Sequence, residues 1–156
     1  MLIDLAQDEQ AAWQCLETLG SRRPRPSLII TPTVMEEIMC LSLMGDTHQK
    51  RSDASKAIRS LIQWNIQPLN LLPVGHGIVE RIGDEIRSQG LIPEEERHDS
   101  FVVAEAALCD ADILVSADAH LHGIDHQRLH LLLAGFDVKP VLITWPRRVA
   151  RLLGSG

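Results

Sequence analysis

Apolar residues recur along the chain in two alternating patterns, one with helical spacing and one typical of strands. The helical spacing predicts helices over residues 8–19, 33–45, 52–65, 76–89, 98–108 and 125–134, and a last one from Pro146. Short β-branched runs predict buried strands over residues 27–31, 112–116 and 140–144. Strands that alternate with helices indicate an α/β protein. We expect a single domain over residues 1–156, with a three-layer α/β/α arrangement and a mostly parallel central sheet wrapped by helices.

One segment is ambiguous, and two glycines have a predicted role. Residues 69–74 fit a short strand or an extended connector equally well. Gly20 stands where the first of these helices would stop, and Gly90 can take the left-handed conformation that ends the helix before it. Pro146 suits the first position of the last helix.

Composition narrows the class of protein. The 156 residues carry 15 Lys and Arg against 21 Asp and Glu, which gives a formal net charge of −6. This balance argues against a protein that coats nucleic acid with basic side chains, but it suits a nuclease whose bound cations meet the phosphate. The sequence has no apolar run near the roughly 20 residues of a bilayer span, and three cysteines without zinc-type spacing. We expect reduced thiols, a cytoplasmic location and no membrane association.

Acidic residues fall where the predicted parallel strands end. Glu36 and Glu37 follow the first strand, Asp118 follows the strand at 112–116, and Asp99 opens the helix that leads to that strand. Because ligands bind outside the carboxyl ends of such strands, these side chains are expected to converge. Clustered carboxylates repel one another unless a divalent cation lies among them, and oxygen ligands favour Mg²⁺ or Mn²⁺. The pattern therefore indicates metal-assisted chemistry on phosphate.

Each of these acids also has an ordinary structural explanation. Asp99 is a good N-cap for its helix, and Asp118 suits the turn after a strand. Glu36 and Glu37 are neighbours, so one of them faces solvent on any helix. We favour Glu37 as the ligand. Four histidines form a competing constellation, which we interpret mainly as a solvated face because Gly123 interrupts the helix they would need: His120, His122, His126 and His130.

Three segments carry the acids in a particular order and spacing: TPTVMEEI at 31–38, DSFVVAEAA at 99–107 and ADILVSADAHL at 111–121. In these segments and in the C-terminal strand and helix, the chain resembles the PIN domain family over nearly its whole length. The resemblance implies a Mg²⁺- or Mn²⁺-dependent endoribonuclease that hydrolyses RNA with water, with Glu37, Asp99 and Asp118 as catalytic and metal-binding residues. A domain of this size resembles the toxin of a bacterial toxin–antitoxin pair, which implies an antitoxin partner and a homodimer.

The first acid of the PIN pattern is where this sequence departs from the family. In PIN domains that acid ends the first strand, usually as Asp-Thr-Asn. Two explanations are open: the strand lies upstream of Met1 and is lost, or Met1–Ile3 form a stub strand and Asp4 becomes the fourth metal ligand. The absence of Thr-Asn after Asp4 favours the first. The alternative to an active nuclease is a catalytically degenerate PIN-like module that binds protein or RNA.

Two short basic clusters complete the candidate residues. They are solvated surface in most proteins, but in a nuclease one of them would anchor the RNA backbone. The clusters consist of Arg22, Arg23 and Arg25 in one loop and of Arg147, Arg148 and Arg151 in the last helix.

Overall fold

The computed structural model describes residues 1–154, which form helices and short parallel strands. In chain order the elements are α1 (Leu2–Ala6), α2 (Gln10–Ser21), β1 (Leu28–Ile30), α3 (Pro32–Met44), α4 (His48–Ser60), β2 (Ile66–Pro68), α5 (Pro73–Ser88), α6 (Arg97–Leu108), β3 (Ile113–Val115), α7 (Ala119–His122), α8 (His126–Gly135), β4 (Leu142–Thr144) and α9 (Pro146–Leu153). The α/β class is confirmed. The described strands form two separate pairs, so a single central sheet is not confirmed.

The chain divides into two compact units. Unit 1 comprises residues 1–69 and the chain from Trp145 onwards, and unit 2 comprises residues 70–144. Among residues 1–154, no helix combines the length and the apolar character that crossing a membrane requires.

Unit 1 is built from one parallel strand pair and the helices packed around its core. β1 pairs with β2 in a register that places Leu28 opposite Ile66. α2 packs against α9, and α3 packs against α4. The fully buried side chains of the core include Leu5 and Ala54. Buried Asp53 accepts hydrogen bonds from the side-chain amides of Gln7 (2.9 Å) and Gln49 (2.7 Å), so its polar atoms are satisfied inside the unit.

Unit 2, like unit 1, contains one parallel strand pair and helices packed around a buried core. β3 pairs in parallel with β4, with Ile113 opposite Leu142. α5 packs against α6 and more lightly against α8. The fully buried core includes Ile82, Ile86, Val103, Leu129 and Leu133. This core holds the beginning of α6 and the end of β3 in place, and these two points carry the candidate site.

The structure contradicts one alternative left open by the sequence and decides another. Met1–Ile3 do not form a stub strand, because residues 2–6 are helical and bury Leu5 completely in the core of unit 1. The ambiguous segment 69–74 is mostly a connector: β2 ends at Pro68, the Leu69 amide adds one more hydrogen bond to Ile30 O at 2.9 Å, and Pro73 begins α5.

Two predicted helix boundaries are confirmed by the backbone. Gly90 follows α5 with φ of +66°, the left-handed conformation expected of a residue that ends a helix. Pro146 occupies the first turn of α9. The short helices α1 and α7 were not predicted, since four or five residues are too few to show a helical period.

Candidate metal centre

The candidate site lies in unit 2, where α6 begins and β3 ends. Glu96 is the N-cap of α6, and Asp99 lies in the first turn, three residues later. This spacing puts both carboxylates on one side of the helix. The same turn is the positive end of the helix dipole, which favours anionic side chains. α6 therefore presents two carboxylates together at its N-terminus.

The loop after β3 brings a third residue to the site. The Ser116 amide donates to Thr144 O at 3.1 Å and extends the strand pairing by one step. The Asp118 amide then donates to Ser116 Oγ at 3.0 Å, and Asp118 Oδ1 accepts from the His120 amide at 2.7 Å. His122 Nε2 lies 2.8 Å from Ser116 O. These bonds fix the loop and make Asp118 the N-cap of α7, which carries His120.

The His120 ring lies among the acids. Its Nδ1 is 3.4 Å from Glu96 Oε1, 3.7 Å from Asp99 Oδ2 and 3.9 Å from Asp118 Oδ1. The side chain of Asp99 is 19% exposed, whereas those of Glu96, Asp118 and His120 are 37%, 47% and 51% exposed. The group is thus anchored on a half-buried carboxylate and open to solvent on its other side.

This geometry can hold a cation. Glu96, Asp99 and His120 each offer one donor atom, and these atoms lie within 4.8 Å of one another. Two carboxylate oxygens and one imidazole nitrogen are common ligands of a divalent metal. Asp118 lies beside them, but one of its oxygens already caps α7. The arrangement suits one bound ion with open positions toward solvent.

The four acids predicted as ligands are divided between the two units. Asp99 and Asp118 share the site in unit 2. Glu37 lies on α3 in unit 1, where it is half-buried while its neighbour Glu36 is exposed. Asp4 lies on α1 in unit 1 and forms an ion pair of 2.9 Å with the amino group of Met1.

Sequence reasoning missed Glu96 and gave His120 a different role. The four histidines do not share one face: His120 joins the acids, His122 contacts Ser116, and His126 and His130 pack edge to face on α8 with ring centroids 6.4 Å apart. Gly123 ends α7, as the sequence indicated. The available signals were the Glu96–Asp99 spacing and the Asp118-x-His120 capping pattern.

Comparison of the chain with protein-family models, with curated proteins and with solved structures finds no match.

Proposed function

We propose that this protein is a Mg²⁺- or Mn²⁺-dependent endoribonuclease of the PIN type, with its metal centre at Glu96, Asp99 and His120 and with Asp118 beside it. The observation that carries the proposal is the meeting of Asp99 and Asp118, which come from separate elements, within 4 Å of one imidazole nitrogen. Both were singled out from the sequence as metal ligands. The finer PIN arrangement, with one mostly parallel sheet between two helical layers, is part of the same proposal.

The residues of the site have separable roles. Glu96, Asp99 and His120 would hold the ion, because their donor atoms already lie within 4.8 Å of one another. A bound divalent cation supplies positive charge that polarises a phosphodiester and favours ionisation of water. Asp99 anchors the site since it is the least exposed of the four side chains. Asp118 positions His120 through the hydrogen bond to the His120 amide.

The donor set also bears on which metal binds. Carboxylates alone suit Mg²⁺ and Mn²⁺ alike, but an imidazole is a softer ligand that Mg²⁺ seldom accepts. Divalent affinity for such mixed sets rises from Mn²⁺ toward Zn²⁺. We therefore expect Mn²⁺ to bind this site more tightly than Mg²⁺, and His120→Asn to narrow that difference.

The role as a toxin with an antitoxin partner and a homodimer is part of the proposal. It is supported by apolar side chains on the second half of α3. Met39, Leu43 and Met44 are 50%, 77% and 76% exposed. Exposed apolar side chains that cluster on one helix are typical of a surface that another chain covers.

Calorimetric titration with Mn²⁺ tests the site, and cleavage of a labelled RNA in the same buffer tests the reaction. Asp99→Asn keeps the shape of the side chain but removes its charge, so we expect Mn²⁺ affinity to fall at least about tenfold and cleavage to be lost. Glu80→Gln is the matched control because Glu80 is an exposed carboxylate of the same unit, on α5. It should bind and cleave like the parent chain.

The outcomes separate the two functions weighed from the sequence. Mn²⁺ binding and RNA cleavage that are both lost in Asp99→Asn would support the nuclease. Mn²⁺ binding without cleavage would favour the degenerate binding module. Absence of Mn²⁺ binding to the parent chain would contradict the metal centre.

A further inference from the structure

The two basic clusters of the sequence belong to the same unit. Unit 1 carries ten Lys and Arg against eight Asp and Glu, whereas unit 2 carries five against thirteen. The excess of positive charge in unit 1 comes from six arginines, which are all exposed: Arg22, Arg23, Arg25, Arg147, Arg148 and Arg151. An acidic chain therefore has one region of concentrated positive charge, in a unit that does not contain the candidate metal centre.

Packing of α2 against α9 joins the clusters into one surface. Arg22 Nη1 donates to Leu153 O at 3.1 Å and so ties the loop after α2 to the last turn of α9. A cation there also complements the negative end of the helix dipole. Arg23 Nη1 donates to Arg22 O at 2.9 Å within the loop. The bond from Arg22 to Leu153 therefore joins the two clusters.

The other arginines line two neighbouring cavities on α2. Arg147 and Arg151 border one of about 320 Å³, together with Gln14, Glu17 and Thr18. Arg25 borders a second of about 350 Å³, which also contains Glu17. Glu17 therefore borders both cavities. We define Arg25, Arg147 and Arg151 with these α2 residues as the arginine surface.

The chemistry of this surface favours phosphate. All of its cations are arginines, although lysines occur elsewhere in unit 1, and the planar guanidinium can bind two phosphate oxygens at once. Arg147 and Arg151 lie one helical turn apart, about 6 Å along the axis, which is comparable to the spacing of neighbouring phosphates on one strand. Arg147 and Arg148 also lie in the first turn of α9, where the helix dipole disfavours cations. A bound polyanion would offset that cost.

We propose that the arginine surface binds the sugar–phosphate backbone of single-stranded RNA. This activity goes beyond the proposed nuclease and does not depend on it, because it needs neither the metal centre nor cleavage. Binding is electrostatic and tolerant of sequence, because the guanidinium groups contact phosphates, which are the same in every nucleotide. Glu17 limits the affinity because its carboxylate borders the same cavities as the arginines and repels phosphate.

Fluorescence anisotropy of a short labelled oligouridine in EDTA tests the proposal with the full chain, because without divalent ions no metal-dependent cleavage intervenes. We expect the parent chain to bind, with an affinity that falls steeply between about 50 and 200 mM salt. The double variant Arg147→Ala, Arg151→Ala should bind on the order of tenfold more weakly, and the slope of log K against log salt should drop by about 1.4. Glu17→Gln should bind more tightly than the parent.

Two further variants separate specific contacts from general charge and from misfolding. Arg59→Ala removes an exposed arginine of α4 in the same unit, and it should leave the affinity and the salt slope close to those of the parent. The double lysine variant Arg147→Lys, Arg151→Lys keeps both charges, so it should restore most of the slope. Circular dichroism confirms that each variant is folded.

Several results would overturn the proposal. One is a parent chain that shows no salt-dependent binding of oligouridine. Another is an Arg59→Ala variant that loses as much affinity as the double alanine variant, and a third is a folded double alanine variant that binds as tightly as the parent. Poly-glutamate is the remaining comparison. Poly-glutamate could displace the oligouridine at equal charge concentration, and its own binding could be weakened by the Arg147→Ala, Arg151→Ala double variant. In that case the surface would be assigned to an acidic protein partner instead of RNA.

Discussion

Two glycines of α5 offer a matched test of how unit 2 holds its candidate site. Gly77 and Gly83 both lie in the interior of this helix, and replacing glycine by alanine there favours the helix by about 1 kcal/mol. A Cβ at Gly77 would meet no atom within 4 Å. A Cβ at Gly83 would lie 2.6 Å from Phe101 Cδ1 and 2.9 Å from Phe101 Cε1. The same substitution is therefore expected to have opposite effects at the two positions.

The clash at Gly83 is not easily relieved. The Phe101 ring lies under the guanidinium groups of Arg87 and Arg97, whose central carbons are 5.6 Å and 5.1 Å from its centroid. The added Cβ would also lie 3.2 Å from Oγ of the fully buried Ser100. Overpacking of this kind costs about 1–3 kcal/mol, so after the gain in helix propensity Gly83→Ala should lose up to about 2 kcal/mol.

Unfolding in urea and titration with Mn²⁺ measure the two consequences. Gly77→Ala should raise the free energy of unfolding by up to about 1 kcal/mol and leave Mn²⁺ affinity unchanged. Gly83→Ala should lower the free energy of unfolding. It should also weaken Mn²⁺ binding, because Ser100 and Phe101 directly follow Asp99 in the first turns of α6. A Gly83→Ala protein as stable as Gly77→Ala, with parent-like Mn²⁺ affinity, would refute this account of the α5–α6 contact.

Two further predictions concern buried polar groups. Asp53→Ala should destabilise the protein by about 1–3 kcal/mol in urea unfolding, because it removes two hydrogen bonds that are each worth about 0.5–1.5 kcal/mol, and an unchanged midpoint would contradict that role. A thiol reagent should label exposed Cys40 first and spare Cys15, whose pKa burial raises from 9.0 to about 11. Because folded Cys15 keeps its proton to a higher pH than unfolded Cys15, its contribution to the free energy of unfolding is complete below pH 9.0 and declines as the pH rises toward 11. In a Cys15→Ala variant, the free energy of unfolding should fall less over this pH range.

The sequence alone predicted the long helices and the strands β1, β3 and β4, but not α1, α7 or β2. Unalternated apolar runs such as residues 112–116 are typical of strands, and helical spacing repeats often enough over a dozen residues to be recognised. The burial expected of these strands is not complete in the structure, where Ile113 and Leu142 are 37% and 51% exposed. β3, β4 and the long helices accordingly lie close to their predicted positions. The special residues Gly90 and Pro146 act locally, through their own backbone conformations, and were therefore also predictable.

Tertiary structure decided how the strands pair and which side chains meet. Pairing depends on contacts between residues far apart in sequence, so the two separate strand pairs could not be derived from periodicity. Asp99 and Asp118 were selected from their positions at element ends. Glu96 and His120 join them only because the N-cap of α6 and the capped turn after β3 converge in unit 2. Local patterns thus identified part of the site, and the packing that brings distant ends together completed it.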